Sequence, residues 1–312
     1  MNKKPEKIER IEINELNDIL GKPFPVLDDG FIRVIDYMGS DSAVVQAARV
    51  SYGEGTKKVR QDRGLIRYLM RHLHTSPFEM CEIKLHIRVP MDTWRQWIRH
   101  RTANVNEYST RYSIAIDSSL HTEPDKWRMQ AKNNRQGSSG YFDKKTGKGF
   151  SEKERELQTL ARDIYNQRID NGVAREQARK DLPLCTYTEA YWKIDLNNLL
   201  HFLALRMEKN AQFEIREYAN TIGKEILARW CPLTWEAFLD YRMNSATLSG
   251  NELAIVNAIN SNNPQKAIKI ADNLGWLPDS SNKVKNDLER SECEEKLTRL
   301  GLNPPWEEMF KD

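Results

Sequence analysis

The chain has 312 residues, enough for one large domain or two ordinary ones with a sizeable buried core. It carries 48 Lys and Arg against 45 Asp and Glu, and this net charge of +3 does not by itself indicate a nucleic-acid-binding protein. No segment reaches the roughly 18 apolar residues of a membrane span, and the N-terminus lacks the apolar stretch of a signal peptide.

The first third of the chain alternates between helix and strand patterns. Residues 1–28 are a charged lead-in with at most a short helix. Further elements are predicted from period-2 or period-3.6 spacing of apolar residues. They are a strand over residues 30–39, a helix over 41–52, a helix over 60–74, a strand over 80–89, and a helix that Pro90 opens.

The remaining two thirds begin with a Gly-, Lys- and Ser-rich stretch, residues 122–154, which predicts a long mobile loop. The following patterns predict helices up to Pro183, a strand over 185–194, helical structure over 195–232 and a helix over 234–243. Beyond residue 245 the chain is polar with short helical patterns. We therefore predict an α/β fold with a central sheet flanked by helices over residues 29–243, and a polar helical extension over 244–312.

Polar side chains are concentrated in RQWIRHRTANVNEYSTRY, Arg95 to Tyr112. On a helix, Arg95 and Arg99 stand one turn apart. If the second half is extended, Ser109 and Arg111 lie on one side of a strand. Guanidinium groups bind phosphate bidentately and a serine hydroxyl adds a further donor, so the stretch suits a nucleotide ligand. A solvated surface strand with internal ion pairs is an equally weighted interpretation.

A second polar group lies on the predicted helix after residue 195. Asp195 is a suitable N-cap, which places Asn197 and His201 in the first turns, where a helix favours anions. Arg206 lies on the same, otherwise apolar, helix and needs a partner. That partner is either a ligand or one of two acids, Glu189 and Glu214.

Metal and thiol chemistry have weaker support. His72 and His74 have HxH spacing near Glu79, but the local pattern is helical and no third ligand is near, so we expect no metal site. The four cysteines are scattered without CxxC spacing, which favours reduced thiols in a cytoplasmic protein.

The arrangement Arg99-His100-Arg101, seven residues, then Ser109 resembles the signature of the flavin-dependent thymidylate synthases. Six further motifs support the resemblance in the same order along the chain. They are HTSPFE at 74–79, RQW at 95–97, NEYSTRY at 106–112, AREQARKDLP at 174–183, WKIDLNNLLHFLALR at 192–206 and AQFEIREYA at 211–219. The resemblance covers about residues 29–243.

The resemblance implies an α/β fold assembled as a homotetramer with active sites shared between subunits. It also implies the reductive methylation of dUMP to dTMP, with 5,10-methylenetetrahydrofolate as one-carbon donor, FAD as cofactor and NADPH as reductant. Small molecules would thus be the partners, rather than nucleic acid or a membrane.

Site residues follow from the resemblance by position. Arg206 would lie against the N3–C4 edge of uracil, favour its ionised form and so make C5 more nucleophilic. The FAD site would comprise Ser76, Arg99, His100, Arg101, Glu107, Asp195, Asn197 and His201. The dUMP site would comprise Gln96, Arg99, Glu107, Ser109, Thr110, Arg111, Arg179 and Arg206. The chain departs from common family patterns at Thr110, where glycine is frequent, at Asn197, where His or Arg is usual, and at Asn210, where His is usual.

The residues themselves agree with a flavin mechanism, because no cysteine has the setting of a nucleophile. Ser109 lacks an evident general base, so we assign it to phosphate binding and leave open whether it does more. Two alternatives from other classes are a nucleic-acid-binding module that uses the same arginines and a metal-dependent nucleotide hydrolase.

Overall fold

The computed structural model describes residues 10–50, 59–131, 137–278 and 287–310. Parts of four predicted segments lie outside the described residues: 1–9 of the lead-in, 51–52 of the second element, 132–136 of the loop, and 279–286 and 311–312 of the extension. The chain forms two compact units, Met1–Met243 and Asn244–Asp312, which are described separately.

The first unit is built on an antiparallel sheet with the strand order β1-β2-β3-β7-β4. The strands of the unit are β1 Phe24–Val26, β2 Gly30–Met38, β3 Glu82–Pro90, β4 Asn104–Glu107, β5 Arg128–Gln130, β6 Ser138–Tyr141 and β7 Tyr187–Asp195. The β3 and β7 strands pair over nine residues, from Glu82 opposite Asp195 to Pro90 opposite Tyr187. The short strand β4 pairs with β7 and forms one edge of the sheet.

Helices flank this sheet, so the predicted mixed α/β fold is confirmed. The helices of the unit are α1 Asn14–Asn17, α2 Asp41–Val50, α3 Val59–Arg71, α4 Met91–Trp97, α5 Lys144–Asp170, α6 Arg175–Ala178, α7 Leu196–Arg206, α8 Phe213–Thr221, α9 Ala228–Trp230 and α10 Pro232–Phe238. Two π-helical segments, Ile222–Leu227 and Leu239–Met243, follow α8 and α10. Short 3-10 turns cover Phe78–Met80 and Arg179–Asp181.

An aromatic cluster joins the sheet to the helices that carry the polar motifs. The Trp97 ring, at the end of α4, lies 5.2 Å from Trp192 of β7, 4.9 Å from Phe202 of α7 and 5.6 Å from Tyr218 of α8. Trp97 is fully buried. Such clusters contribute both apolar burial and edge-to-face contacts, so they fix the end of α4 against α7.

Gly30 shows how closely the sheet approaches helix α8. A Cβ at this position would lie 2.0 Å from the Tyr218 hydroxyl oxygen and 2.6 Å from the backbone oxygen of Val26. The same hydroxyl donates a hydrogen bond of 2.6 Å to the backbone oxygen of Arg88. Only glycine allows this approach without moving backbone.

One local prediction is wrong, and two other expectations hold only in part. Residues 122–154 do not form one long loop, because β5 and β6 pair as a hairpin and α5 begins at Lys144, where the Asp143 side chain accepts hydrogen bonds from Lys145 and Thr146. The NEYSTRY segment is extended only to Glu107, and the chain then turns at Ser109. The helical region after Asp195 is interrupted between α7 and α8.

The lead-in contributes to the core through Leu16, Ile19 and Val26, which are buried. The second unit has its own apolar core around Trp276, Trp306 and Ile255. Its described helices are α11 Gly250–Asn260, α12 Pro264–Asn273 and α13 Leu288–Arg299, with a 3-10 turn at Glu307–Phe310. Across the described ranges, no helix has the length and apolar character to cross a membrane.

Candidate active site

Arg206 is the last residue of α7 and is partly buried. Its Nε donates a hydrogen bond to Nε2 of His100 at 3.0 Å, and a terminal guanidinium nitrogen lies 3.5 Å from the backbone oxygen of Gln96. Burial lowers the pKa of the guanidinium, but arginine stays charged at neutral pH. A partly desolvated charge acts more strongly on a ligand than one in water.

The two acids considered as partners of Arg206 contact other bases. Glu189 lies 2.9 Å from His86, and Glu214 accepts a hydrogen bond of 2.7 Å from Arg128. The interpretation of Arg206 as one member of an internal ion pair with either acid is therefore wrong. Its partner is a neutral imidazole, which leaves the positive charge available to a ligand.

His100 is held in one orientation by its neighbours. Its ring packs edge-on against Phe202 at 4.9 Å and lies 6.0 Å from the ring of His201. Burial, the nearby Arg206 charge and His201 lower the pKa of His100 to about 4. The imidazole is thus neutral at physiological pH, and its Nε2 lone pair accepts the hydrogen bond from Arg206.

Gln96 belongs to α4, and its backbone oxygen lies near the Arg206 guanidinium. Its side chain is oriented by a series of hydrogen bonds. Its Nε2 donates to Oε1 of Gln212, and the Gln212 side chain in turn donates a hydrogen bond to the Asp92 carboxylate. Burial raises the pKa of Asp92. An amide held in this way presents a fixed donor and acceptor pattern to a heterocycle.

A cavity of about 570 Å³ near these residues has the size of a small-molecule site. We call it the arginine cavity. Side chains that line it include Gln96, Arg128, Arg206, Lys209, Gln212, Phe213 and Arg216. The described residues that line it include four Arg and Lys side chains and no Asp or Glu, so the lining carries a net positive charge.

Two adjoining cavities surround the start and the outer face of α7. One, of about 310 Å³, is lined by Arg99, His100, Arg101, His201 and Arg206 among others. The other, of about 220 Å³, is lined by His74, Thr75, Asn197, Asn198 and His201 among others. Both include Asn198 and His201, and we call them together the α7 cavities. Arg206 lines both the arginine cavity and the larger of the two α7 cavities, so it lies in the wall between these two.

Two further residues predicted for the flavin site lie beside the α7 cavities. Asp195 is the N-cap of α7, as expected: its carboxylate accepts hydrogen bonds from the Asn198 backbone at 2.9 Å and side chain at 2.7 Å. Ser76 is exposed and follows Thr75 in the turn before Phe78. The structure therefore brings together most of the residues that the resemblance assigns to FAD.

Five of the residues predicted for the dUMP site form a separate group, with none lining the arginine cavity or the α7 cavities. The Arg179 guanidinium donates to the Thr110 hydroxyl, and Arg111 lies 3.3 Å from Glu176. The Ser109 hydroxyl accepts a hydrogen bond of 3.3 Å from the Arg111 backbone. The remaining member, Glu107, accepts a hydrogen bond of 2.9 Å from Thr188.

Sequence reasoning missed four of the polar residues that line the arginine cavity: Arg128, Lys209, Gln212 and Arg216. Gln212 and Arg216 belong to the AQFEIREYA motif, which carried the resemblance but no assigned role. Arg128 lies in the stretch that was predicted to be a loop. Among the described residues, no group of three or more His, Cys, Asp or Glu side chains is placed to hold a metal ion.

The fold and this site define an α/β protein with electropositive cavities suited to phosphorylated ligands. Residues 33–233 match the family model described as thymidylate synthase complementing protein. The chain therefore belongs to the thymidylate synthase complementing protein family, and the resemblance inferred from the motifs is confirmed.

Curated relatives are similar over most of the chain. A protein of Wolbachia pipientis wMel named flavin-dependent thymidylate synthase is 53% identical over 252 residues, which is 80% of this chain and 88% of that protein. One of the same name from Gluconobacter oxydans is 51% identical over 255 residues, covering 81% and 84% of the two chains.

Solved structures agree. The UMP/dUMP methylase PolB from Streptomyces cacaoi, bound with 5-Br dUMP, is 31% identical with a TM-score of 0.64, covering 72% of this chain and all of that one. The same methylase bound with 5-Br UMP superposes with a TM-score of 0.63. The alternative of a nucleic-acid-binding module is not favoured by these matches.

Proposed function

We propose that this protein methylates dUMP to dTMP, with 5,10-methylenetetrahydrofolate as the one-carbon donor, FAD as cofactor and NADPH as reductant. The observation that carries the proposal is Arg206, a partly buried cation bonded to a neutral histidine in the wall between the arginine cavity and the larger of the two α7 cavities. The names of the relatives and the dUMP analogue in the related methylase support it.

The α7 cavities suit a flavin dinucleotide. Arg99 and Arg101 supply guanidinium donors for a diphosphate, and the first turn of α7 adds a positive helix end. Asn198 is locked by Asp195, so its position does not depend on the ligand. A bound flavin would supply the reducing equivalents for the methylation.

Arg206 would act on the uracil ring rather than on a phosphate. A guanidinium charge beside the N3–C4 edge stabilises the ionised ring and raises the electron density at C5, the carbon that gains the methyl group. His100 would fix the guanidinium by accepting the hydrogen bond from its Nε. Gln96, held by Gln212, would hydrogen-bond the ring edge.

The assignment of five further residues to the nucleotide site stays a prediction: Glu107, Ser109, Thr110, Arg111 and Arg179. In one chain they lie apart from the three cavities, which agrees with a homotetramer in which another subunit supplies them. All four residues of β4 are exposed, and the edge of β4 that faces away from β7 is open to pairing in such an assembly. The tetramer, the cytoplasmic location and the division into a catalytic region 29–243 and an extension 244–312 are parts of this proposal.

The test is a reconstituted reaction. Purified protein loaded with FAD is supplied with dUMP, methylenetetrahydrofolate and NADPH, and dTMP is measured by chromatography. We expect dTMP only in the complete mixture and a flavin absorbance spectrum in the protein. Flavin-loaded protein that makes no dTMP would overturn the proposal, and salt-dependent DNA binding without flavin would favour the nucleic-acid alternative.

A further inference from the structure

The arginine cavity contains three cations to which the proposed function gives no role. Arg128 comes from the β5–β6 hairpin, Lys209 from the segment between α7 and α8, and Arg216 from α8 itself. They join Arg206 in lining one space of about 570 Å³. Four cations from four separate chain segments around one cavity exceed what a uracil ring requires.

Two of these cations are fixed against one aromatic ring. The guanidinium carbon of Arg128 lies 5.1 Å from the centroid of Phe213, and that of Arg216 lies 5.8 Å from the same ring. Arg216 also donates a hydrogen bond of 2.5 Å to the backbone oxygen of Lys209. A guanidinium stacked on a ring keeps its N–H edge free for an oxygen acceptor.

The charges of the three arginines, Arg128, Arg206 and Arg216, are only partly neutralised by carboxylates in the described structure. Arg128 pairs with Glu214, whose second carboxylate oxygen is buried without a hydrogen-bond partner in the described structure. Within the described residues, neither Arg206 nor Arg216 forms an ion pair with a carboxylate. A partly enclosed cavity with excess positive charge attracts an anion and concentrates it.

We propose that Arg216, Arg128 and Lys209 form an oxyanion-binding site in the arginine cavity, which takes a phosphate or carboxylate group of a substrate while Arg206 contacts its ring or that of a neighbouring ligand. This inference rests on the proposed function. It adds a site that differs from the predicted dUMP residues around Ser109 and Arg179, because those residues do not line this cavity.

The oxyanion has three possible sources among the proposed substrates. They are the phosphate of dUMP, the glutamate carboxylates of the folate and the 2′-phosphate of NADPH. All three are recognised by the same chemistry, paired N–H donors of an arginine, so the experiment must separate them by ligand.

The decisive variants are Arg216→Gln and Arg216→Lys in the full flavin-loaded protein. Dissociation constants are measured by isothermal titration for dUMP and deoxyuridine, for mono- and pentaglutamyl folate, and for NADPH and NADH. We expect Arg216→Gln to raise the dissociation constant of one charged ligand by about tenfold. The dissociation constant of its uncharged or less charged counterpart should stay nearly unchanged. Arg216→Lys should retain part of the affinity for the charged ligand.

Arg229→Gln is the matched control, because Arg229 is a helical arginine paired with Glu225 and does not line the cavity. Its ligand affinities should equal those of the wild type. If Arg216→Gln does not fold, as judged by its flavin content, Lys209→Gln takes its place in the same titrations.

Two failures are distinguishable. Wild-type protein that binds its ligands but makes no dTMP overturns the proposed function. Wild-type turnover together with unchanged affinity of the folded variant for all three charged ligands overturns the oxyanion site and leaves the proposed function intact.

Discussion

The two halves of Arg95 to Tyr112 are held in different ways. The first half ends α4, where Trp97 is buried among aromatic rings and His100 accepts a hydrogen bond from Arg206. The second half runs along the exposed edge strand β4 into a turn, where its contacts are ion pairs and hydrogen bonds near the surface. One half is organised by the core of its own chain, and the other depends on polar contacts that a ligand or a second subunit can replace.

The contrast between the two halves is tested most strongly by removing Trp97, the buried residue that packs the first half against the core. Trp97→Ala should lower the free energy of unfolding by about 3–5 kcal/mol, because it leaves a cavity among four rings. Val105→Ala, in exposed β4, should change it by less than about 0.5 kcal/mol. Chemical denaturation measures both, and equal losses would contradict the contrast.

The next prediction separates chemistry from folding in the first half. Arg206→Ala should lower kcat/KM for dTMP formation by about 100-fold or more, as expected for loss of a cation that stabilises charge in the transition state. The flavin should remain bound, because Arg99 and Arg101 are untouched. Turnover near the wild-type level would refute the role of Arg206, and Arg229→Ala serves as the control.

The second half is tested through its contact with α6 and the following turn. Arg179→Gln removes the charged donor to Thr110 and should raise KM for dUMP about tenfold. Stability should change by less than about 1 kcal/mol, because the contact is near the surface. An unchanged KM measured by initial rates would remove Arg179 from the nucleotide site.

The smallest expected effect is a pH dependence that belongs to the first half. The folded pKa of His100 is about 4 against an ordinary value of 6.5, so the unfolded chain binds more protons between these values. Stability should therefore decrease as the pH falls from about 6.5 towards 4, and His100→Gln should flatten this slope. His86 contributes in the same direction, since burial lowers its pKa as well.

The control for this titration is His121→Gln, which alters an exposed histidine. Unfolding is followed by denaturant titration at several pH values. A slope that His100→Gln leaves unchanged would show that the imidazole is not held neutral by Arg206 and burial.

The sequence alone determined the three long strands β2, β3 and β7, the main helices and the family, because apolar periodicity and a long motif are local properties. The Asp195 cap was predicted correctly from a few neighbouring residues, and the strand predicted over 80–89 is observed as Glu82–Pro90. The β5–β6 hairpin and the start of α5 were missed. The Gly- and Lys-rich composition of this segment is typical of a loop, although the segment contains two strands that pair with each other and a helix capped by Asp143.

Only the tertiary structure decided which polar groups meet. The sequence left two acids and a ligand as candidate partners of Arg206. In the structure Arg206 contacts His100, which is 106 residues away in the sequence. The arginine cavity is lined by Arg128, Lys209 and Arg216, which come from separate segments of the chain, so no local spacing in the sequence predicts it. Periodicity fixes which face of an element is buried, whereas the partner of a buried charge depends on which elements pack together.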